Sequence, residues 1–259
     1  MSAIEQLADA LGGPAKPAVV ALVGGGGKTT TLFALTHLLR GRGNRVVATT
    51  TTRMGATQTG GLTSVGTSLD DVIAGVRANG AVISVGSVHG HGDRPKVGGL
   101  ADHDITRVVE SGEVDVVVVE ADGSRRHNVK APAPHEPVLP HATTHVVAVI
   151  GADALDRVIE DQAHRPMRVA AAAGAQPYQR LTPQRAARLL TSEIGSRKSV
   201  PESATFVVVI TKVNAGNEAN ASSVAELVRA QGFAVVLFPF VENSDSPEPS
   251  NPLPGRERR

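Results

Sequence analysis

Short, continuously apolar runs recur along the chain at intervals that leave room for helices. Strands are predicted over 18–23, 45–50, 81–85, 115–120, 145–150, 205–211 and 234–238. Most of these runs lack apolar and polar alternation, the pattern of strands buried on both faces of a parallel sheet. Helices are predicted over 29–39, 69–78, 102–111, 183–192 and 222–231. Ser68 and Thr182 stand where N-caps belong, and Pro183 follows in the first helical turn. Strand and helix in alternation predict an α/β fold, an open, mainly parallel, doubly wound sheet with right-handed crossovers. The segment 86–99 (GSVHGHGDRPKVGG) reads as a loop, and its His89-x-His91 as solvated histidines. The proline-rich stretch after Val241 cannot bury enough apolar surface to order itself. The expected division is a phosphate-loop nucleotide-binding domain over 1–241 and a disordered tail over 242–259.

Composition narrows the function. Lys and Arg total 26 against 25 Asp and Glu, a net charge of +1, without the cationic field of a nucleic-acid or membrane-surface binder. Five Phe, one Tyr and no Trp leave no platform for stacking bases, and the absence of Cys excludes disulfides, zinc thiolates and cysteine nucleophiles. The longest apolar runs fall far short of the ~20 residues that span a bilayer. The stretch MSAIEQLADALGG lacks the basic start and apolar core of a signal peptide, so a cytoplasmic protein is expected.

The first predicted strand leads into Gly24-Gly25-Gly26-Gly27-Lys28-Thr29-Thr30. Glycines let backbone N–H groups turn inward around phosphate oxygens. Lys28 is placed to neutralise the β- and γ-phosphates and the Thr29 hydroxyl to ligate Mg²⁺, and the following helix aims its positive end at the same anion. The pattern G-x-x-x-x-G-K-[ST] is met only from its second glycine onward, because Leu22 holds the place of the first. The fold is accordingly expected to be of the phosphate-loop NTPase type.

Other strand ends carry further candidates, because ligands of such sheets bind beyond the carboxyl ends of the strands. Thr49-Thr50-Thr51-Thr52-Arg53 offers hydroxyls for a metal shell or a water, with Arg53 toward a phosphate, or is an ordinary Thr-rich strand end. Glu120-Ala121-Asp122-Gly123 imitates the Asp-x-x-Gly of nucleotide switches; either acid could serve the metal, with Glu120 favoured, and Gly123 would sense the γ-phosphate. The segment that follows holds Arg125, Arg126, Lys130, His135 and Glu136 among prolines. It reads as a rigid exposed substrate or switch loop whose cations meet an anionic substrate or the triphosphate. Thr211-Lys212-Val213-Asn214 has the shape of the [NT]-K-x-D base-reading loop, with Lys212 over the base and Asn214 in place of the Asp. An amide cannot accept both of guanine's donors, so the base, GTP or ATP, stays open.

With these residues assembled, the chain resembles the YqeC family, described as selenium-dependent molybdenum hydroxylase accessory proteins. The resemblance is carried by VGGGGKTT at 23–30, TTTRM at 50–54, EADGSRRHNVKAPAPHEPVLP at 120–140, His164-Arg165-Pro166 and the surroundings of Lys212. It implies a phosphate-loop fold and a role in maturing molybdenum hydroxylases, with such an enzyme or its cofactor as partner. The resulting expectation is an accessory protein that binds and slowly hydrolyses a nucleoside triphosphate with Mg²⁺. Lys28, Glu120 and Asp122 would be its catalytic groups. A small-molecule kinase or phosphate-loop transferase, with Arg125, Arg126, Lys130 and His135 on the acceptor, is the alternative. A non-catalytic nucleotide-gated binding module is the third reading. Val23 stands where dimer-forming relatives of the wider phosphate-loop class carry a second lysine, so activation by that residue is not expected.

Overall fold

The apolar runs become the parallel strands of one sheet in a computed structural model that describes residues 1–13, 17–55, 65–66, 68–84, 88–89 and 96–239. Its strands are β1 (Ala18–Gly24), β2 (Val46–Thr50), β3 (Val65–Gly66), β4 (Ala81–Ser84), β5 (Val116–Glu120), β6 (His145–Gly151), β7 (Thr205–Val213) and β8 (Ala234–Pro239). They lie in the order β8-β7-β6-β1-β5-β2-β4-β3, and every neighbouring pair is parallel. The predicted strands therefore form within a residue or two of their expected ends. Val85, His91, most of the glycine-rich loop and the tail over 242–259 lie outside the described residues.

Strand side chains alternate between two apolar layers. Val20, Leu22, Val118, Val147 and Val149 face α1 (Ala3–Ala10) and α2 (Lys28–Gly41). On the opposite face, Val19, Val47 and Val117 meet α3 (Leu69–Asn79) and α4 (Asp102–Glu110). Farther along that face, Ala21, Ala148, Ile150 and Ile210 meet α5 (Ile159–Gln162), α6 (Pro166–Ala173), α7 (Pro183–Thr191) and α8 (Glu218–Arg229). Burial on both faces is why the strands needed no polar alternation.

Three helices fall outside the sequence expectation. α1 is opened by a capping box in which the Ser2 hydroxyl accepts from the Glu5 N–H and the Glu5 carboxylate accepts from the Ser2 N–H. α5 is a single turn, and α6 is a short alanine-rich helix entered through Arg165 in left-handed backbone. Ser68 caps α3 through a capping box with Asp71, whereas Thr182 precedes α7 without a side-chain cap bond.

The chain leaves β1 for β2, inserts β5 between them, and then crosses to β6 on the other side of β1. Strand order reverses at β1, and the crevice of such a sheet opens beyond the carboxyl end of that strand. Gly24–Thr30, Glu120–Gly123, Gly151 and Thr211 all end there.

Leu35 of α2 is fully buried against this sheet. Leu35→Ala is expected to lower unfolding free energy in urea by about 2–5 kcal/mol; a loss well below that range would contradict this packing.

Candidate functional site

The glycine turn is tight because backbone crowds it from both sides. Gly24, Gly26 and Gly27 have φ of 97°, 81° and 140°, a region closed to most side chains. A Cβ on Gly24 would lie 2.3 Å from the Val149 carbonyl oxygen, and one on Gly26 would lie 2.4 Å from the Gly151 nitrogen. A Cβ on Gly25 would meet the His127 carbonyl oxygen at 2.7 Å, so the 127–128 segment lies directly against the loop. The Thr211 hydroxyl at the end of β7 donates to the Gly26 carbonyl. Lys28 begins α2, and Thr30 is exposed on its first turn.

At the centre stands a buried chain of charges. Lys28 Nζ donates to the Gly24 carbonyl at 2.6 Å and sits 3.1 Å from Asp122 Oδ1. Asp122 Oδ2 accepts the Gly24 N–H at 3.0 Å and lies 3.1 Å from Lys130 Nζ. Lys130, its side chain 0% exposed, reaches the Gly123 carbonyl at 2.7 Å and Glu136 Oε2 at 2.8 Å. Glu136 also holds Arg165 through two bonds of 2.7 and 3.2 Å and accepts the Ala133 N–H. Lys198 Nζ donates to the carbonyls of Ala133, Pro134 and Glu136, fastening the same bend.

The two candidate acids separate here. Glu120 Oε2 accepts the Thr29 hydroxyl at 2.8 Å, and its Oε1 lies 3.9 Å from Lys28 Nζ. Burial pushes the Glu120 carboxyl up, and Lys28 and the Thr29 hydroxyl only partly counter it. Asp122 is engaged on both oxygens by lysines, and the cavity bounded by Gly24, Asp122, Lys130 and Ser196 measures about 10 Å³, the space of about one water. Mg²⁺ would have to displace a lysine to reach either oxygen of Asp122. The Thr29 and Glu120 oxygens form the donor pair that suits it, since Mg²⁺ takes one or two protein oxygens and fills its octahedron with phosphate and water.

The expected substrate or switch loop is not exposed throughout. Val129–Lys130 forms a short parallel ladder with Ala163–His164, and 129–133 and Glu136 are buried. Lys130 is thus a buried link between two carboxylates rather than a solvent-facing cation. His135 is exposed while Glu136 turns inward, so the two neighbours do not act on one ligand as a pair. Arg125 and Arg126 remain exposed, with φ of 50° and 66°, in a turn closed by the His127 N–H to the Ser124 carbonyl at 3.0 Å. Left-handed backbone costs an L-residue about 1–2 kcal/mol. The His127 and His164 rings stack at 6.1 Å, and burial together with Arg165, Lys130 and Arg125 holds His164 down at about 4.

The threonine-rich strand end is largely occupied with the backbone. Thr50 donates to the Glu120 carbonyl at 2.8 Å, Thr51 to the Val138 carbonyl at 2.7 Å, and Thr49 to the Ser84 carbonyl at 3.0 Å. Arg53 is exposed on the short strand Arg53–Gly55, which pairs with Lys96–Gly98. At the position expected to read the base, Lys212 Nζ donates to Asn128 Oδ1 at 2.7 Å and lies 3.7 Å from Asp153 Oδ2. Asn214 Oδ1 accepts the Gly216 N–H at 2.9 Å, so the side chain folds back on its own turn. Arg165, Lys198, Asn128 and Asp153 were not singled out from sequence as site residues. Asn128, inside the 120–140 block, and Arg165, in the His164-Arg165-Pro166 motif, carried a signal, and Lys198 and Asp153 carried none.

Among known proteins, the YqeC family, described as YqeC protein, matches residues 20–167. The uncharacterized protein YqeC of Escherichia coli (strain K12) is 33% identical over 221 residues, which cover 82% of this chain and 83% of that one. Among solved structures, the hydrogenase maturation factor HypB from Archaeoglobus fulgidus is similar at 14% identity and a TM-score of 0.40, over 92% of this chain and 86% of that chain. The chloroplast FtsY of Physcomitrella patens gives 16% identity and a TM-score of 0.45, over 90% of this chain but only 64% of its own.

Burial raises the Glu136 carboxyl, but Lys130, the Ala133 N–H and Arg165 outweigh it and hold it at about 2 against an ordinary 4.5. The stability this group supplies is complete above about pH 4.5 and is lost as pH falls toward 2. Glu136→Gln is expected to flatten the fall in stability across that window, measured by urea unfolding at successive pH values; an unchanged slope would contradict the pairing.

Proposed function

The chain belongs to the YqeC family, and from that premise we propose that it is a Mg²⁺-dependent protein that binds and slowly hydrolyses a nucleoside triphosphate. The observation that carries this reading is the convergence of Lys28, the Thr29–Glu120 pair and the glycine turn at the carboxyl end of β1. The turn's backbone N–H groups and the start of α2 would cradle the phosphates. Lys28 would exchange the Gly24 carbonyl for the β- and γ-phosphates. Thr29 and Glu120 would hold Mg²⁺, which supplies neutralisation of charge on the transferring phosphoryl group. Burial raises the Glu120 carboxyl, and a metal on its oxygens would favour the ionised form. Metal–nucleotide affinity should therefore rise with pH.

The proposed biological role is that of an accessory protein in maturation of a molybdenum hydroxylase, with that enzyme or its cofactor as partner. It rests on the family resemblance of the 120–140 block rather than on the chemistry of the phosphate loop. Lys212 and Asn128 would border the base. With Asn214 Oδ1 bound to Gly216, little selection for guanine is expected from that side chain.

Calorimetric titration with Mg²⁺ and each triphosphate tests the reading. Lys28→Ala is expected to abolish binding, and Glu120→Gln to remove most of the difference between Mg²⁺ and EDTA. Unchanged affinity in Lys28→Ala would overturn the phosphate-loop assignment, and a retained Mg²⁺ effect in Glu120→Gln would overturn the metal assignment.

A further inference from the structure

We infer that the Arg125–Arg126 turn, with the His127–His164 face beneath it, is a second anion site that takes the phosphate group of a small ligand distinct from the loop-bound nucleotide. This deepens the nucleotide reading and rests on it only for the identity of the neighbouring site. The charge balance comes first. Inside the site, Lys28, Lys130 and Arg165 meet Glu120, Asp122 and Glu136, three cations for three acids. Arg125 and Arg126 stand outside that balance, exposed and without an ion pair among the described residues.

Their backbone makes the exposure purposeful. Two consecutive non-glycine residues in left-handed conformation are held at the tip of a turn where glycine or asparagine would sit without strain. Strain of this kind gathers at ligand clamps and active sites. The turn cannot swing freely, because the next residues press on the phosphate loop: the Asn128 carbonyl accepts the Gly151 N–H at 2.8 Å, and Gly25 has no room for a Cβ beneath His127.

The direction of the cluster separates it from the nucleotide. Arg126 leads directly into His127, whose ring stacks on that of His164 with centroids 6.1 Å apart. The turn is thereby carried to the His164 corner, whereas the side chains on Glu120 are Thr29 and Lys28. His164 is followed by Arg165 and by the N-terminus of α6, which has no side-chain cap and adds its own partial positive charge. Two guanidinium groups carry the charge and the paired N–H donors that suit a phosphate dianion better than a carboxylate.

The test is a titration with inorganic phosphate of the protein saturated with Mg²⁺ and nucleoside diphosphate, followed by NMR of the histidine rings at constant ionic strength. The His127 and His164 rings are expected to shift and saturate with phosphate and to respond far less to chloride or acetate. The comparison protein is Arg125→Gly/Arg126→Gly, in which left-handed backbone is relieved rather than broken. It should melt at the same or a higher temperature and bind phosphate more weakly by about tenfold or more. Absence of a saturable shift, an equal response to acetate, displacement of the nucleotide by phosphate, or binding untouched by the double substitution would each overturn the site. Nucleotide binding is read in its own calorimetric titration, so failure of the phosphate loop and failure of this site give different results.

Discussion

Asp122 is a buried carboxylate held between two lysines from different parts of the chain, and the site is arranged around that contact. An isolated charge at this depth would cost several kcal/mol. Lys28 on one oxygen and Lys130 with the Gly24 N–H on the other remove that cost. The same contact fixes the position of the loop's own lysine before any ligand arrives. It also passes the ordering outward, from Lys130 to Glu136 and from Glu136 to Arg165 at the start of α6.

This arrangement gives different surroundings to two acids that have a single residue between them. Both acids face Lys28, but Glu120 ends β5 in register with Leu22 of β1 and Thr50 of β2, next to the Thr29 hydroxyl. Asp122 lies two residues beyond, where its Oδ2 accepts the Gly24 N–H. Burial pushes the Glu120 carboxyl up, and the proposed metal role falls to it. Asp122, with both oxygens engaged, is part of the frame.

The fold was legible because burial on both faces of a parallel strand writes itself as a continuous apolar run, and because four glycines between a buried strand and Lys28 mark a turn through backbone that other residues rarely adopt. The partnerships beyond the loop were not legible. Lys130 sits in a stretch of cations and prolines that reads as solvated, and its burial depends on β6 and on the Ala163–His164 ladder, segments well downstream in sequence. Arg165 meets Glu136 across 29 positions, with no local pattern to announce it. The left-handed Arg125–Arg126 turn lacks the glycine or asparagine that marks such turns. Asn214 matched a recognition loop in spelling, but its amide is spent on a local turn that only coordinates reveal.

The central claim is that Lys28 leaves Asp122 for a phosphate while Thr29 and Glu120 take the metal. A crystal structure of the protein grown with Mg²⁺ and a non-hydrolysable triphosphate analogue tests it most directly. The account predicts phosphates inside the Gly24–Thr29 turn, Lys28 Nζ on the β- and γ-phosphate oxygens, and Mg²⁺ against the Thr29 and Glu120 oxygens with Lys130 still on Asp122. An analogue bound elsewhere, with Lys28 still on the Gly24 carbonyl and Asp122, would contradict it.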